Sequence, residues 1–306
     1  MAPPYSVERR KAPAPGLEEH AGLITSRDNK WLKLFRSSLR GAGPSEADLI
    51  GVEGPKLVEE ALRSGLQAEV LLVSAGGERH LPPILRAASE SEAGIRRERI
   101  LKTTDKVFAG VAGTESPQGV AALFRQPVWG FEDVLSGRPS GDGAFQGSPP
   151  LLVVLAGVQD PGNVGTILRS AEAFGSTGGL TTRGSADPWS PKALRASAGS
   201  ALRLPLVRGM AVPVLLAQLK MHRVKIVAAS LRPEGGLSSG VDPRDALLDA
   251  AALFVGSEGA GLPAEVEHAA DARISIPMRE PVESLNAAVA ASVLLYEAAR
   301  RRKGSS

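Results

Sequence analysis

The sequence of 306 residues contains no cysteine and only four histidines. The first absence removes disulfides, thiolate nucleophiles, iron–sulfur ligation and cysteine zinc sites together. The histidines, His20, His80, His222 and His268, never pair at i, i+4, so no metal site is expected. Chemistry must then rest on Ser, Asn, Glu, Arg or backbone groups. Long hydrophobic runs are missing too: the longest clean one, Leu151 to Val158, has eight residues, against the roughly 20 that cross a bilayer. No membrane segment is read. The opening "MAPPYSVERRKAPAPGLEEH" mixes Pro with both signs of charge and lacks the apolar stretch of a secretory signal. Residues 1–22 read as a disordered tail, and a cytoplasmic location is expected. A large excess of one charge is also absent, since 36 Lys+Arg against 33 Asp+Glu leave +3.

The basic residues that are present are clustered. Residues 27–40, "RDNKWLKLFRSSLR", hold Arg27, Lys30, Lys33 and Arg36 at helical i+3 steps, with Arg40 one turn on. Residues 183–208 add Arg183, Lys192, Arg195, Arg203 and Arg208 against Asp187 alone, and the chain ends in "ARRRKGSS". Such clusters suit a polyanion such as RNA, although any one of them also reads as a solvated helix face. The length favours two domains. Residues 126–150 carry nine Gly or Pro in 25 positions without periodicity and read as the linker. Before it, residues 23–125 alternate helix and strand signals in a small α/β domain: a basic helix at 28–40, strands at "DLIGV", "AEVLLVS" and "QGVAALF", and helices in "GPKLVEEALRSG" and "LPPILRAAS".

After the linker, residues 151–306 carry apolar runs rather than alternation: "LLVVLAG", "GGLTT", "LRLPLV", "VKIVAAS", "AALFVG" and "ARISIPM". Strands apolar on both faces belong to parallel sheets covered by helices, and helices are read at 163–174, 190–199, 212–222, 263–269 and 284–302. The last is small and apolar on several sides, which calls for close neighbours or a second subunit.

Three segments fall at the carboxyl ends of these strands, where open α/β sheets bind ligands. In "VQDPGNVGTILRSAEAFG", Asp160, Pro161 and Gly162 read as a turn, Asn163 as an N-cap and Gly175 as the stop. Arg169 can lean back toward the helix start to grip a phosphate; an ordinary capped βα unit is the plain alternative. In "LFVGSEGAGLP", Gly256, Gly259 and Gly261 let backbone approach a flat ligand, with Glu258 among them. This is neither a Walker sequence nor a dinucleotide fingerprint. In "ISIPMREPVESLNAAVAASVLLYEA", Ser284 reads as an N-cap, while Asn286 has no capping role. Trp189 is available to stack on a base or to pack in a subunit contact, and Arg195 is a candidate RNA contact.

Taken together, these three segments resemble the SpoU (TrmH-like) family of RNA ribose 2'-O-methyltransferases over residues 151–302, and residues 28–124 resemble the ribosomal-protein-like RNA-binding domain that often precedes it. The resemblance implies an α/β fold whose C-terminal parallel sheet carries a deep trefoil knot. It implies S-adenosylmethionine touching Gly256, Ile276 and Leu285, and a homodimer whose active site combines both subunits. Asn163, Arg169, Glu258, Ser284 and Asn286 match the family's polar active-site set. In the family the arginine matching Arg169 is proposed to take the hydroxyl proton. A guanidinium that stays charged above about pH 12 suits phosphate binding and oxyanion stabilisation better. Ribosomal RNA is favoured over transfer RNA as substrate. The rival readings are a non-catalytic RNA-binding protein and a nucleotide-dependent enzyme on a Rossmann sheet.

Overall fold

The computed structural model describes residues 23–26, 28–41, 48–91, 95, 99–137, 149–230 and 243–304. The tail read over 1–22 lies outside them, as does Arg27. The N-terminal part contains α1 (Lys30–Arg40), β1 (Leu49–Glu53), α2 (Pro55–Arg63), β2 (Ala68–Ser74), α3 (Leu81–Glu90), β3 (Ile100–Thr103), α4 (Asp105–Ala109) and β4 (Val120–Arg125). Its strands form one sheet in the order β1-β4-β2-β3, antiparallel except for the β2–β3 pair. Strand β3 and helix α4 escape the sequence reading because β3 is four residues long and only half apolar.

Helix α1 starts at Asn29, whose side chain accepts from the Trp31 N–H, and stops at Gly41 in the left-handed region. Leu32, Phe35 and Leu39 are buried. Two of its basic residues are occupied internally: Arg36 donates to the Gly110 carbonyl, and Arg40 to those of Gly110 and Ala112. They satisfy carbonyls just beyond α4, which have no partner along their own helix.

The C-terminal part contains β5 (Leu151–Ala156), α6 (Pro161–Ala173), β6 (Gly178–Thr182), α7 (Pro191–Ser197), α8 (Ser200–Arg203), β7 (Leu206–Met210), α9 (Val212–Met221), β8 (Lys225–Ala229), β9 (Ala251–Gly256), α10 (Ala264–Ala269), β10 (Ala272–Ile274) and α11 (Ala287–Gly304). All six strands pair parallel in the order β10-β8-β9-β5-β6-β7. Central β5 is buried throughout: Leu151, Val153 and Leu155 pack with α6, α7 and α11, while Leu152, Val154 and Ala156 pack with α9 and α10. That two-sided burial is why the strands read as apolar runs. From β5 the chain runs outward to β6 and β7, then crosses to build β8, β9 and β10 on the other side. The crevice at the carboxyl ends of β5 and β9 is therefore a topological switch point.

The span 126–150 is not wholly irregular. Helix α5, Phe131–Ser136, sits within it, and its buried Val134 belongs to the core of the parallel sheet. A Cβ at Gly178 would lie 2.3 Å from the Val134 side chain, so this short helix docks where the strand carries no side chain. The helix read over 190–199 ends at Ser197, and the strand read as "LRLPLV" begins at Leu206. Ala198 and Gly199, at φ 47 and 90, bend the chain and α8 intervenes.

One continuous apolar cluster contains Val52, Val58 and Leu62 of the first part together with Val153, Ile167 and Leu194 of the second. Arg203 ties the parts further, donating to Glu172 at 2.7 and 2.8 Å and to Glu60 at 2.7 Å. The basic C-terminus is also used internally. Arg301 pairs with Asp245 and Glu297, and Arg302 donates to the carbonyls of Leu247, Pro149, Pro150 and Asp249. Among the described residues no helix is long and apolar enough to cross a membrane.

Candidate active site

Helix α6 is capped by Asp160 rather than by Asn163. The Asp160 carboxylate accepts from the Asn163 N–H at 2.9 Å and from Lys192 Nζ at 2.6 Å. The Lys192 hydrogen bond first, and the Asn163 N–H second, hold its carboxyl below the ordinary aspartate value. Pro161 at the first helical position fits this start. The helix ends at Gly175, φ 82, with Ser176 N–H reaching back to the Ala171 carbonyl at 2.8 Å. Because Asp160 does the capping, the side chain of Asn163 is free to point elsewhere.

It points at the glycine loop after β9. That loop is pinned by a reciprocal backbone pair, Ser257 N–H to Gly261 carbonyl at 3.1 Å and Gly261 N–H to Ser257 carbonyl at 3.0 Å. A Cβ at Gly256 would lie 2.4 Å from the Gly261 carbonyl oxygen, and Gly261 has φ +69, so this turn needs glycine at both places. The closed turn presents Glu258, whose Oε1 accepts from Asn163 Nδ2 at 2.8 Å and from Asn286 Nδ2 at 2.7 Å. Asn286 Nδ2 also reaches Asn163 Oδ1 at 3.1 Å. Residues separated by as many as 123 positions thus meet in one hydrogen-bonded set.

Asn286 is in addition the cap of α11: its Oδ1 accepts from the N–H groups of Ala288 and Val289 at 2.9 and 3.3 Å. The expectation that Ser284 caps this helix and Asn286 does not is corrected by that geometry. One amide group caps with its oxygen and bonds the site with its nitrogen. Ser284 lies instead on the wall of a cavity of about 570 Å³, with Gly256, Glu258, Ile276, Leu285 and Asn286.

Two candidates stand apart. Arg169 is exposed on α6, does not line this cavity, and has no side-chain partner among the described residues. Arg195 is exposed on α7 and lines a separate cleft against α2, with Lys56 and Arg63. Trp189 is 6% exposed and donates from Nε1 to the Ala201 carbonyl at 2.9 Å, so it packs within the chain. The sequence places Asp160 only in a turn; the signal for its capping role is the following Pro161, which fits a first helical position.

Residues 150–296 match the SpoU rRNA Methylase family, and residues 45–122 match the MRM3-like substrate binding domain. The chain is 32% identical to the 23S rRNA (guanosine(2553)-2'-O)-methyltransferase RlmP of Bacillus subtilis, over 87% of this chain and 93% of that one. It belongs to the SpoU methylase family. Two solved methyltransferase structures align along nearly the whole chain. The methyltransferase AviRb from Streptomyces viridochromogenes, in complex with AdoMet, has a TM-score of 0.73 at 25% identity, covering 90% of this chain and 100% of that one. An AdoMet-bound rRNA methyltransferase from Sinorhizobium meliloti has a TM-score of 0.71 at 27% identity, covering 92% and 98%. As a SpoU methyltransferase, the chain carries its family match on the sheet that holds the cavity, and its substrate-binding match on the smaller sheet.

Proposed function

We propose that the protein transfers a methyl group from S-adenosylmethionine to a ribose 2'-hydroxyl of ribosomal RNA, acting as a homodimer in the cytoplasm. The observation that carries this reading is the joining of Asn163, Glu258 and Asn286 at the rim of the cavity beside the glycine loop. The residues present fit the donor. A volume of about 570 Å³ lies in the range of small-molecule sites. Ile274, Ile276 and Leu285 give apolar walls for an adenosine, and Glu258, Ser284 and Asn286 give a polar rim. At Gly259 and Gly261 the space where a Cβ would stand is open. When bound, the donor supplies a methyl group already activated on a sulfonium, so the protein's work is alignment and the handling of one proton.

Glu258 uses only Oε1 toward the two asparagines, which leaves Oε2 to accept a hydrogen bond from the incoming hydroxyl. Asn163 and Asn286 fix that carboxylate from both sides. Arg169 acts on phosphate and on developing oxyanion charge, and it reaches the site from a second copy. Its place supports this last step. It stands on the outer face of α6, beside α11, whose Val289, Val293 and Tyr296 are exposed large apolar residues. The two helices are joined by the Ser170–Ser292 hydroxyl pair at 2.6 Å and the Phe174–Tyr296 edge contact at 5.6 Å. A second copy laid on this face covers the apolar stripe and carries Arg169 toward the partner's cavity. The trefoil knot implied by the family belongs to the same reading.

The test incubates the purified protein with labelled donor and, separately, 23S rRNA, 16S rRNA and tRNA, followed by mapping of 2'-O-methyl positions. Label at one ribose of ribosomal RNA is expected. Label in tRNA alone overturns the target, label on a base overturns the chemistry, and failure to bind donor overturns the enzyme reading.

A further inference from the structure

The two domains enclose a second cavity, of about 430 Å³, away from the glycine loop. Ser38 and Gln126 line it from the N-terminal side, and Arg183, Trp189, Ser190 and Arg208 from the parallel sheet. It opens at the carboxyl ends of β6 and β7, along the same edge of the sheet as the active site. Nothing in the reading above uses it.

Arg208 dominates this cavity, and it is held in three ways. Its guanidinium lies over the Trp189 ring at 3.9 Å from the centroid, and it donates to Asp187 Oδ1 at 2.9 Å and to Gln126 Oε1 at 2.8 Å. Trp189 in turn is fixed by burial and by its bond to the Ala201 carbonyl. A guanidinium anchored this way has one face on the indole and its edge on two oxygens, yet its side chain keeps 32% exposure. Fixed guanidinium planes are surfaces on which unpaired RNA bases stack.

Two further features point to a polar, anionic occupant. The hydroxyl oxygens of Ser38 and Ser190 are buried and have no hydrogen-bond partner, which is unusual for buried polar atoms unless something else supplies the bond. Arg183, exposed at the same cavity, has no side-chain partner among the described residues. An apolar guest would leave both hydroxyls unmet and the cation unused.

We propose that this interdomain cavity binds one unpaired nucleotide of the RNA substrate: its base lies on the Arg208 plane, the Ser38 and Ser190 hydroxyls, buried as they stand, turn to meet its polar edge, and its phosphate pairs with Arg183. The inference rests on the RNA reading above and extends it to a residue-level contact. It also gives the domain boundary a task, since Gln126 reaches Arg208 from the end of the first domain.

The test uses the full-length protein and fluorescence anisotropy with three probes: an octaadenylate RNA, an octamer of abasic ribose phosphate, and AMP as competitor. R208K keeps the charge and removes the plane. It should weaken octaadenylate binding about 5- to 100-fold, the loss expected for one stacked base, and leave the abasic octamer unchanged. S190A, which removes a hydroxyl that bonds nothing in the fold, should weaken only the base-bearing probe, by about 3- to 10-fold. Thermal midpoint and donor binding report whether each variant is folded. Equal losses on both octamers, or no loss on either, overturn the platform. AMP binding as tightly as the octamer makes the cavity a free-nucleotide site and overturns the RNA occupant. A wild type that methylates ribosomal RNA but does not distinguish the two octamers sinks this inference alone, whereas a wild type that binds no donor sinks the reading beneath it.

Discussion

Replacing Glu258 tests whether the active-site carboxylate works mainly as an anchor for two amides. In E258A the hydrogen bonds from Asn163 at 2.8 Å and Asn286 at 2.7 Å both vanish. Hydrogen bonds to charged groups contribute about 1.5–3 kcal/mol each. Glu258 and Asn286 are exposed, so screening by water reduces each to about 1 kcal/mol. Loss of about 2 kcal/mol of anchoring lets the asparagines leave the aligned position roughly 30 times more often, at about 1.4 kcal/mol per factor of ten. In E258Q the side-chain oxygen still accepts from both amides at about half the strength, but an amide nitrogen, which only donates, replaces the Oε2 that accepts from the incoming hydroxyl. The loosened anchoring alone lowers kcat/KM about 30-fold in E258A and about 5-fold in E258Q, and loss of the Oε2 acceptor adds to both, with little change in thermal midpoint because the residue is exposed. Steady-state kinetics on the mapped RNA, with Tm measured alongside, reads both. If E258Q is as damaged as E258A, the charge and the Oε2 acceptor, and not the anchoring of the two amides, carry the function. If E258A keeps wild-type turnover, the network does not align the reaction.

Three other outcomes follow from separate parts of the molecule. R169A should abolish methyl transfer while labelled-donor binding stays nearly intact, because Arg169 is assigned to the RNA phosphate and the developing oxyanion and does not line the donor cavity of its own chain; retained turnover removes it from the mechanism. G165A places a Cβ 2.3 Å from the Ala193 carbonyl oxygen and 2.7 Å from the Ala196 Cβ. The helix-propensity gain of about 1 kcal/mol is outweighed by overpacking of about 1–3 kcal/mol against backbone that cannot yield, so Tm should fall by a few degrees in calorimetry. Glu297 is held at about 2 by hydrogen bonds from Arg300 and then Arg301. Its folded pKa lies below the unfolded glutamate value near 4.3, so its contribution is complete above that value and fades as pH drops toward the folded one. The Tm difference between wild type and E297Q should be widest above about pH 5 and shrink on acidification; a difference that grows in acid refutes the pairing.

The sequence by itself determined the architecture wherever burial imposes a local pattern. Strands covered on both faces are largely apolar, so β5, β8 and β9 stand out as runs in "LLVVLAG", "VKIVAAS" and "AALFVG", while β6, "GGLTT", buries Thr181 and Thr182 among glycines. The glycine turn at 256–261 and the stop at Gly175 are legible because each position constrains its own backbone. The three chemistry-bearing segments are legible for the same reason, as caps and turns at strand ends.

Tertiary structure alone decided which partner each polar group takes. The Asp160 carboxylate that caps α6 also takes Lys192, 32 residues away, as a partner. Asn286 caps α11 and also bonds Glu258, a dual use that no local rule about capping residues contains. Arg36, Arg40 and Arg302 read as a basic surface, yet each finds carbonyls between 53 and 153 residues away. A long cationic side chain binds whatever acceptor folding brings within reach, and that distance is set by the packing of the two sheets, not by the neighbours of the arginine along the chain.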